Sequence, residues 1–446
     1  MKSWWSARED RSWDLRSGVA RAFVVLLALG IASRGAFSQD TTKSPGVRIG
    51  LTYARGTRPG VVITPIAGVS GDSIRSLLSR DLDFGDRVQP VTPAGSAPPT
   101  GALNYPLFAK LGAQAVVQAT VTAAGSLHVA VHDIAAGRVM NVFDLALPSP
   151  IFGPEWRMAV HGASDEAERV ITEQRGIAQT RILYERDRAL WMVDSDGANA
   201  HALQGTQAGL SPAWHPSGRY IAFCLLASDG QFIVVRDLLG GTARRVDGRG
   251  ASSNTPAFSP DGTTLVFASG SDGFDLYSVA AFGTEQPQRL TVNRGSVINQ
   301  QPTFSPDGRR IAFQSDRSGH SEVYIMDADG TNAELLTTMA YGEDPKRTNP
   351  DWSPDGRKVA FQAQVNGTFQ VLTINPRDRS VSNLTSEGRN EDPSWAPDGR
   401  HMVFTSTRSG AKQLWVLDVE SARVRQLTHG DRARMAAWSP RLTSAR

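Results

Sequence analysis

Four aspartates stand at one place in a repeated motif, so they are the first residues of this 446-residue chain to consider as metal ligands. Asp261, Asp307, Asp355 and Asp398 each fall between a proline and a glycine. A cation needs several oxygens converging on one point. Carboxylates repeated at the same step of a Pro-Asp-Gly stretch read instead as turn residues. They also miss the sialidase Asp-box, in which a residue separates Asp from Gly. Asp194-Ser-Asp196-Gly197 and Asp327-Ala-Asp329-Gly330 resemble the start of a calcium loop, but neither supplies the later bidentate glutamate. We assign no metal and no cofactor.

Nucleophilic and hydrolytic chemistry fares no better. The chain has no G-x-S-x-G, H-E-x-x-H or C-x-x-C. Its eight histidines are scattered, and His161, on an expected helix, reads as a packing or capping residue. A single cysteine, Cys224, forbids an intramolecular disulfide and falls near the end of an expected strand, where it acts as a small hydrophobe. These residues favour a binding module over an enzyme.

The elements that position them are repeats. Pro302–Ser315, PTFSPDGRRIAFQS, has counterparts beginning at Pro212, Pro256, Pro350 and Pro393, and a truncated copy begins at Ala436. The aromatics Trp214, Phe258, Phe304, Trp352, Trp395 and Trp438 recur every 43 to 48 residues. That period, with several short strands per unit, is the signature of propeller blades. In the third copy a strand ends at Phe304 and Ser305-Pro306-Asp307-Gly308 makes a tight turn. Arg310 to Ser315, Glu322 to Asp327 and Glu334 to Thr337 are the further strands. The recurrent aromatic is expected to pack against the next blade. Ahead of the first full copy lie three strand-like pieces, Arg181 to Glu185, Ala189 to Asp194 and Ala200 to Gln204. One leading strand, Arg434 to Trp438, follows the fifth. Together they make a sixth blade, closing the ring without an exposed edge.

The strand order puts the two tight turns of each repeat on one face. The stretches preceding each first strand lie on the other face and are polar. Read as loops, they offer Asn254, Thr255, Gln300, Gln301, Asn349, Glu391 and Asp392 as partner-binding residues around one opening. A hydrolase of the prolyl-oligopeptidase type would need a further α/β-hydrolase domain, for which no residues remain. A glycan- or peptidoglycan-binding propeller would carry exposed aromatics on these loops, where Tyr341 is the exception.

Before the repeats, arginines 8, 11, 16 and 21 precede the apolar run Ala22–Ala32, and Ala36 and Ser38 suit a cleavage site. This reads as a secretory signal peptide over residues 1–38. The run is too short for the ~20 residues of a spanning helix. Without those residues Lys+Arg falls from 47 by six and Asp+Glu from 44 by three, leaving 41 of each. A neutral mature chain argues against nucleic acid as a partner. Residues 39–46 read as a flexible mature N-terminus. Residues 47–176 mix strands (Val47 to Tyr53, Val61 to Ile66, Ala115 to Val121, Leu127 to Asp133, Val139 to Leu147) with helices (Ser70 to Leu82, Tyr105 to Leu111, Pro154 to Gln174). Val88 to Thr100 reads as loop. The expected fold is an N-terminal α/β domain, 47–176, followed by an all-β six-bladed β-propeller, 180–446.

The stretch joining the two carries a resemblance. His161-Gly-Ala-Ser-Asp165-Glu, Ile171-Thr-Glu-Gln-Arg-Gly176 and Thr180-Arg-Ile-Leu-Tyr184 are similar to the H-x-x-S-D-E-x-x-E-x-x-T-G-x-x-G-x-x-x-T-R-I-x-Y segment of the TolB family. Arg169 replaces a glutamate and Glu173 a glycine of that pattern. The resemblance implies a non-enzymatic, monomeric periplasmic component of the Tol-Pal system that supports outer-membrane integrity and constriction at division. It further implies that the propeller binds the lipoprotein Pal, that the mature N-terminus binds TolA, and that no part inserts in the membrane.

Overall fold

A computed structural model describes residues 58–442, apart from 69, 93–101, 247, 249, 251, 293–294 and 338–345. The expected signal peptide, the 39–46 segment, the Val47 to Tyr53 strand and Tyr341 lie outside the described residues. Before the repeats the chain forms β1 (Gly60–Ile63), α1 (Gly71–Phe84), β2 (Gln89–Val91), α2 (Tyr105–Lys110), β3 (Ala113–Val121), β4 (Ser126–Asp133), β5 (Arg138–Ala146) and α3 (Pro154–Thr172). The sheet order is β2-β1-β3-β4-β5, with β1 parallel to both neighbours and the rest antiparallel.

The helices form where apolar residues recur at helical spacing. Ile74, Leu77, Leu78 and Leu82 of α1 meet Trp156, Val160, Ala163 and Ile171 of α3 over Val61, Val117 and Val129 of the sheet. Two expectations are corrected here. Val88 to Thr100 is not all loop, because β2 adds to β1 as a short edge strand. Helix α3 stops at Thr172 rather than Gln174, because Glu173 turns left-handed (φ 62°) and gives its N–H to the Arg169 carbonyl at 2.9 Å.

From Arg181 onward the described elements are all strands. Three four-stranded sheets each take one repeat, and a fourth joins Arg434–Trp438 to Arg181–Arg186, Ala189–Asp194 and His201–Gln207. Trp438 faces Ile182 and Arg434 faces Glu185 in that antiparallel pairing, so the two ends of the repeat region share a sheet, as the truncated copy predicts. The remaining two repeats form one eight-stranded sheet, whose halves meet, among the described residues, at one parallel pair, Gln231 with Ser252.

Each second strand buries the same phenylalanine: Phe223, Phe267, Phe313, Phe361 and Phe404 are among the largest fully buried side chains. The Ser-Pro-Asp-Gly turns are self-contained. Asp307 accepts from the Ser305 hydroxyl (2.5 Å) and the Arg309 N–H (3.1 Å), and Asp261 and Asp355 repeat this. Gly308 supplies the positive φ of 71° that the turn requires. The recurrent aromatic packs against the preceding sheet in chain order, not the following one. Trp352 joins Ala312, Val323 and Ile325, and Trp395 joins Ala360 and Val371. A bulge just before each aromatic provides the physical reason, since one extra residue switches the face that later side chains present.

Candidate functional site

The first strand of each repeat lines the middle of the ring, and each is bulged. Register shifts fall between Asn254 and Ala257, Gln300 and Thr303, Thr348 and Asp351, Glu391 and Ser394, and Arg434 and Ala437. At the bulges Ser211, Thr255, Gln301, Asn349, Asp392 and Met435 all have φ between 46° and 56°. In the first five, proline follows directly. Proline gives no N–H to the ladder and is tolerated at a bulge.

This corrects the reading of the polar stretches as loops. Asn254 and Thr255 lie in Ser252–Phe258, Gln300 and Gln301 in Asn299–Phe304, Asn349 in Arg347–Trp352, and Glu391 and Asp392 in Asn390–Trp395. Their polarity serves neighbouring strands more than solvent. The Thr255 hydroxyl accepts the Gln301 N–H (3.0 Å) and the Gln301 amide oxygen accepts the Asn349 N–H (2.8 Å). Asp392 accepts the Met435 N–H (3.2 Å) and the Asn349 side-chain amide (2.6 Å), while Gln362 accepts the Asp392 N–H (2.8 Å). A belt of hydrogen bonds thus runs between sheets through the residues that sequence alone assigned to a partner.

Thr255, Gln301, Asn349 and Asp392 line a cavity of about 430 Å³ along the ring's interior, with the recurrent prolines and aromatics as its apolar wall. Asn254, Gln300 and Glu391 are not among its lining residues. Gln300 donates to Gln314 (3.0 Å), and Glu391 is held by Arg389 (2.7 Å) and Lys412. Burial opposes the Glu391 charge, but these two cations hold its carboxyl below the usual range. Asp392 goes the other way: burial, reinforced by Glu391 beside it, pushes its carboxyl up.

Sequence reasoning missed Asp351, which also lines the cavity and precedes a recurrent aromatic. Its carboxylate accepts the Trp395 N–H at 2.7 Å, and burial pushes it up to about 7. Equivalent positions carry Ala213, Ala257, Thr303, Ser394 and Ala437, so the acid was visible as an exception within the alignment of copies.

Two further clusters lie where α1 and α3 meet the ring: Asp81, His161 and Asp196, and Asp86, His401 and Asp418. Three of their four carboxylates already have arginine partners, Arg80 and Arg157 on Asp196, Arg423 on Asp86 and Arg400 on Asp418, while Asp81 meets His161. His161 is fully buried between α1 and α3, which fits a packing residue. Cys224 is buried with its thiol pushed up to about 11 by desolvation, the reverse of an activated nucleophile. Among the described residues the ring cavity therefore offers hydrogen-bonding groups and two half-buried acids around an apolar wall. Such a surface can bind a partner.

Comparison with known proteins bears on this geometry. Residues 168–442 match the family model described as the TolB beta propeller domain. The chain belongs to this TolB family. It is 28% identical over 284 residues to the Tol-Pal system protein TolB of Gluconobacter oxydans, covering 61% of each chain. It is 30% identical over 243 residues to that of Polaromonas naphthalenivorans, covering 50% of this chain and 53% of the relative. With the Chromobacterium violaceum TolB the match spans 35% of the relative, so the chain matches from about a third to three-fifths of the length of these curated relatives. The crystal structure of TolB from Acinetobacter baumannii superposes with a TM-score of 0.72 at 24% identity, covering 86% of this chain and 97% of that one. That superposition extends the TolB fold beyond the ring to the sheet and helices before it. The departures of the linking segment are also explained locally. Arg169 pairs with Glu166 one turn earlier, and Glu173 takes the left-handed position where the family pattern has glycine.

Proposed function

We propose that this protein is a non-enzymatic, periplasmic interaction component of the Tol-Pal system, whose ring binds the lipoprotein Pal and whose mature N-terminus engages TolA. The observation that carries the reading is the match of residues 168–442 to the TolB propeller, joined to a ring interior furnished for binding. In this reading residues 47–176 form one domain and residues 180–446 a six-bladed ring. The one Gln231–Ser252 pair among the described residues supports counting the eight-stranded sheet as two blades. Export with cleavage after Ser38 belongs to the same proposal. No helix among the described residues is long and apolar enough to cross a membrane.

The proposed docking face is the end of the ring where Asn254, Thr255, Gln300, Gln301, Asn349, Glu391 and Asp392 enter the inner strands. Exposed Lys346 and Arg389 flank it. A globular partner there would gain orientation and on-rate from such rim charges. Calorimetric titration of the mature protein with the same organism's Pal tests this. Wild type should bind, and the double variant Lys346→Glu with Arg389→Glu should bind more weakly with a shallower salt dependence. A wild-type protein that shows no heat and no complex with Pal at high micromolar concentration sinks the proposal.

A further inference from the structure

Two histidines sit in the seam between the helices and the ring, each between aspartates from both sides. His161 Nδ1 on α3 is 2.7 Å from Asp81 Oδ2 of α1, and its Nε2 points at Asp196 of the ring, 3.8 Å away. His401 Nδ1 is 2.8 Å from Asp398 in its own Ser-Pro-Asp-Gly-type turn, and its Nε2 is 3.4 Å from Asp86 just beyond α1. Both side chains have no solvent exposure. Among the described residues, no hydrogen-bond partner serves His161 Nε2 or Asp81 Oδ1. We infer that the seam is a proton-linked clamp, in which His161 and His401, both as imidazolium, bridge the helices to the ring and release them on losing their protons.

The surrounding charges support imidazolium at both places. Facing His161 are Asp81 and Arg80 from α1, Arg157 from its own helix, and Asp194 and Asp196 from the ring. Arg425 feels both Asp81 and Asp196. Facing His401 are Asp398 and Asp418 of the ring and Asp86 from the helical side, with Arg87, Arg400 and Arg423 each shared with those acids, and Glu168 of α3 paired to Arg87. Desolvation opposes charge on each imidazole, yet the adjoining carboxylates outweigh it and raise both rings above the ordinary value. A neutral His161 could still donate from Nδ1 to Asp81, but it would no longer place a positive charge between Asp81 of the helices and Asp196 of the ring. A buried charge that loses its partner is costly, so the surfaces should part.

The sign follows from linkage. A histidine raised in the closed state stabilises closure fully below about pH 6.5 and loses that effect as pH climbs through its raised midpoint. Between about pH 6.5 and that midpoint, opening should increase about tenfold per pH unit for each of the two histidines, and it should level off above the midpoint.

Carbon-13 histidine labelling of the full mature chain tests this. The resonances of His161 and His401, assigned with His161→Gln and His401→Gln, should titrate above the ordinary value of about 6.5. Hydrogen exchange at amides 81–87 and 398–401, corrected for its intrinsic pH dependence, should lose protection over the same interval. Wild-type rings that titrate at or below about pH 6.5 overturn the inference. So does protection that stays constant while they titrate. Restoration of high-pH protection by zinc, with a shift of the His161 signals, would also overturn it and make the Asp81 cluster a metal site.

Discussion

Asp351 accepts the backbone N–H of Trp395 at 2.7 Å, from one sheet of the ring to the next. The link recurs at equivalent places with neutral acceptors. Thr303 Oγ1 accepts the Trp352 N–H (3.4 Å) and Ser394 Oγ accepts the Trp438 N–H (3.1 Å). The ring therefore uses a carboxylate for a task that a hydroxyl performs in its neighbours, and desolvation raises that carboxyl to about 7.

A first prediction follows for Asp351→Asn. An acid raised in the folded state supports stability fully below its unfolded value near 3.9, and this support is lost as pH rises through about 7. An asparagine keeps the acceptor for Trp395 and donates to Thr303 without an ionisation cost. The variant should match wild type near pH 4 and be more stable by about 1–2 kcal/mol at pH 8. Urea melts at both pH values measure this. Equal midpoints for the two proteins at pH 8 would show that the carboxylate is not strained by burial.

How this acid escaped notice shows what the sequence could convey. Turn residues and apolar strand patterns located Arg310–Ser315, Glu322–Asp327 and Ala189–Asp194 at the boundaries expected. Proline and glycine signal backbone angles directly, so the turns were legible. The bulges were not. Thr255, Gln301 and Asp392 adopt positive φ although no residue type there announces it, and a polar stretch next to proline looks like a loop. The seam of Asp81, His161, Asp196 and His401 joins positions over 200 residues apart, and only the folded chain brings them together.

Glu173 offers a second test. It ends α3 at φ 62°, a left-handed conformation in which a Cβ is unfavourable and glycine is not. Glu173→Gly should stabilise the protein by about 0.5–1 kcal/mol, since relief of strain outweighs the added freedom of the unfolded chain. Thermal melts of the two proteins compare them. A lower melting temperature for the glycine variant would mean that the glutamate side chain makes a compensating contact.

Cys224 gives a third. Its thiol is buried in Tyr220–Ala227 and raised to about 11, so hardly any thiolate is present near neutrality. A chromogenic disulfide reagent at pH 8 should leave the native protein unmodified over hours and react with one thiol per chain within minutes in urea. Fast native reaction would show that this half of the eight-stranded sheet opens readily.

The last prediction concerns closure of the ring. Trp438 is 6% exposed, donates its indole N–H to Thr180 Oγ1 at 2.8 Å, and packs on Ala396 and Val403 of the preceding sheet. Its strand is also the sole partner of one side of Arg181–Arg186. Truncating a buried tryptophan costs about 3–5 kcal/mol, much of a stability that is normally about 5–15 kcal/mol. Trp438→Ala should lower the urea midpoint accordingly. Deleting residues 433–446 should lower it further, because that change also frees the ladder groups of Arg181–Arg186 and removes the Arg434–Glu185 ion pair. Trp352→Ala provides the reference, since it removes an equivalent side chain while every strand stays paired. If the deletion costs no more than Trp438→Ala, the shared sheet contributes packing alone and the hydrogen-bonded closure adds nothing to the stability of the ring.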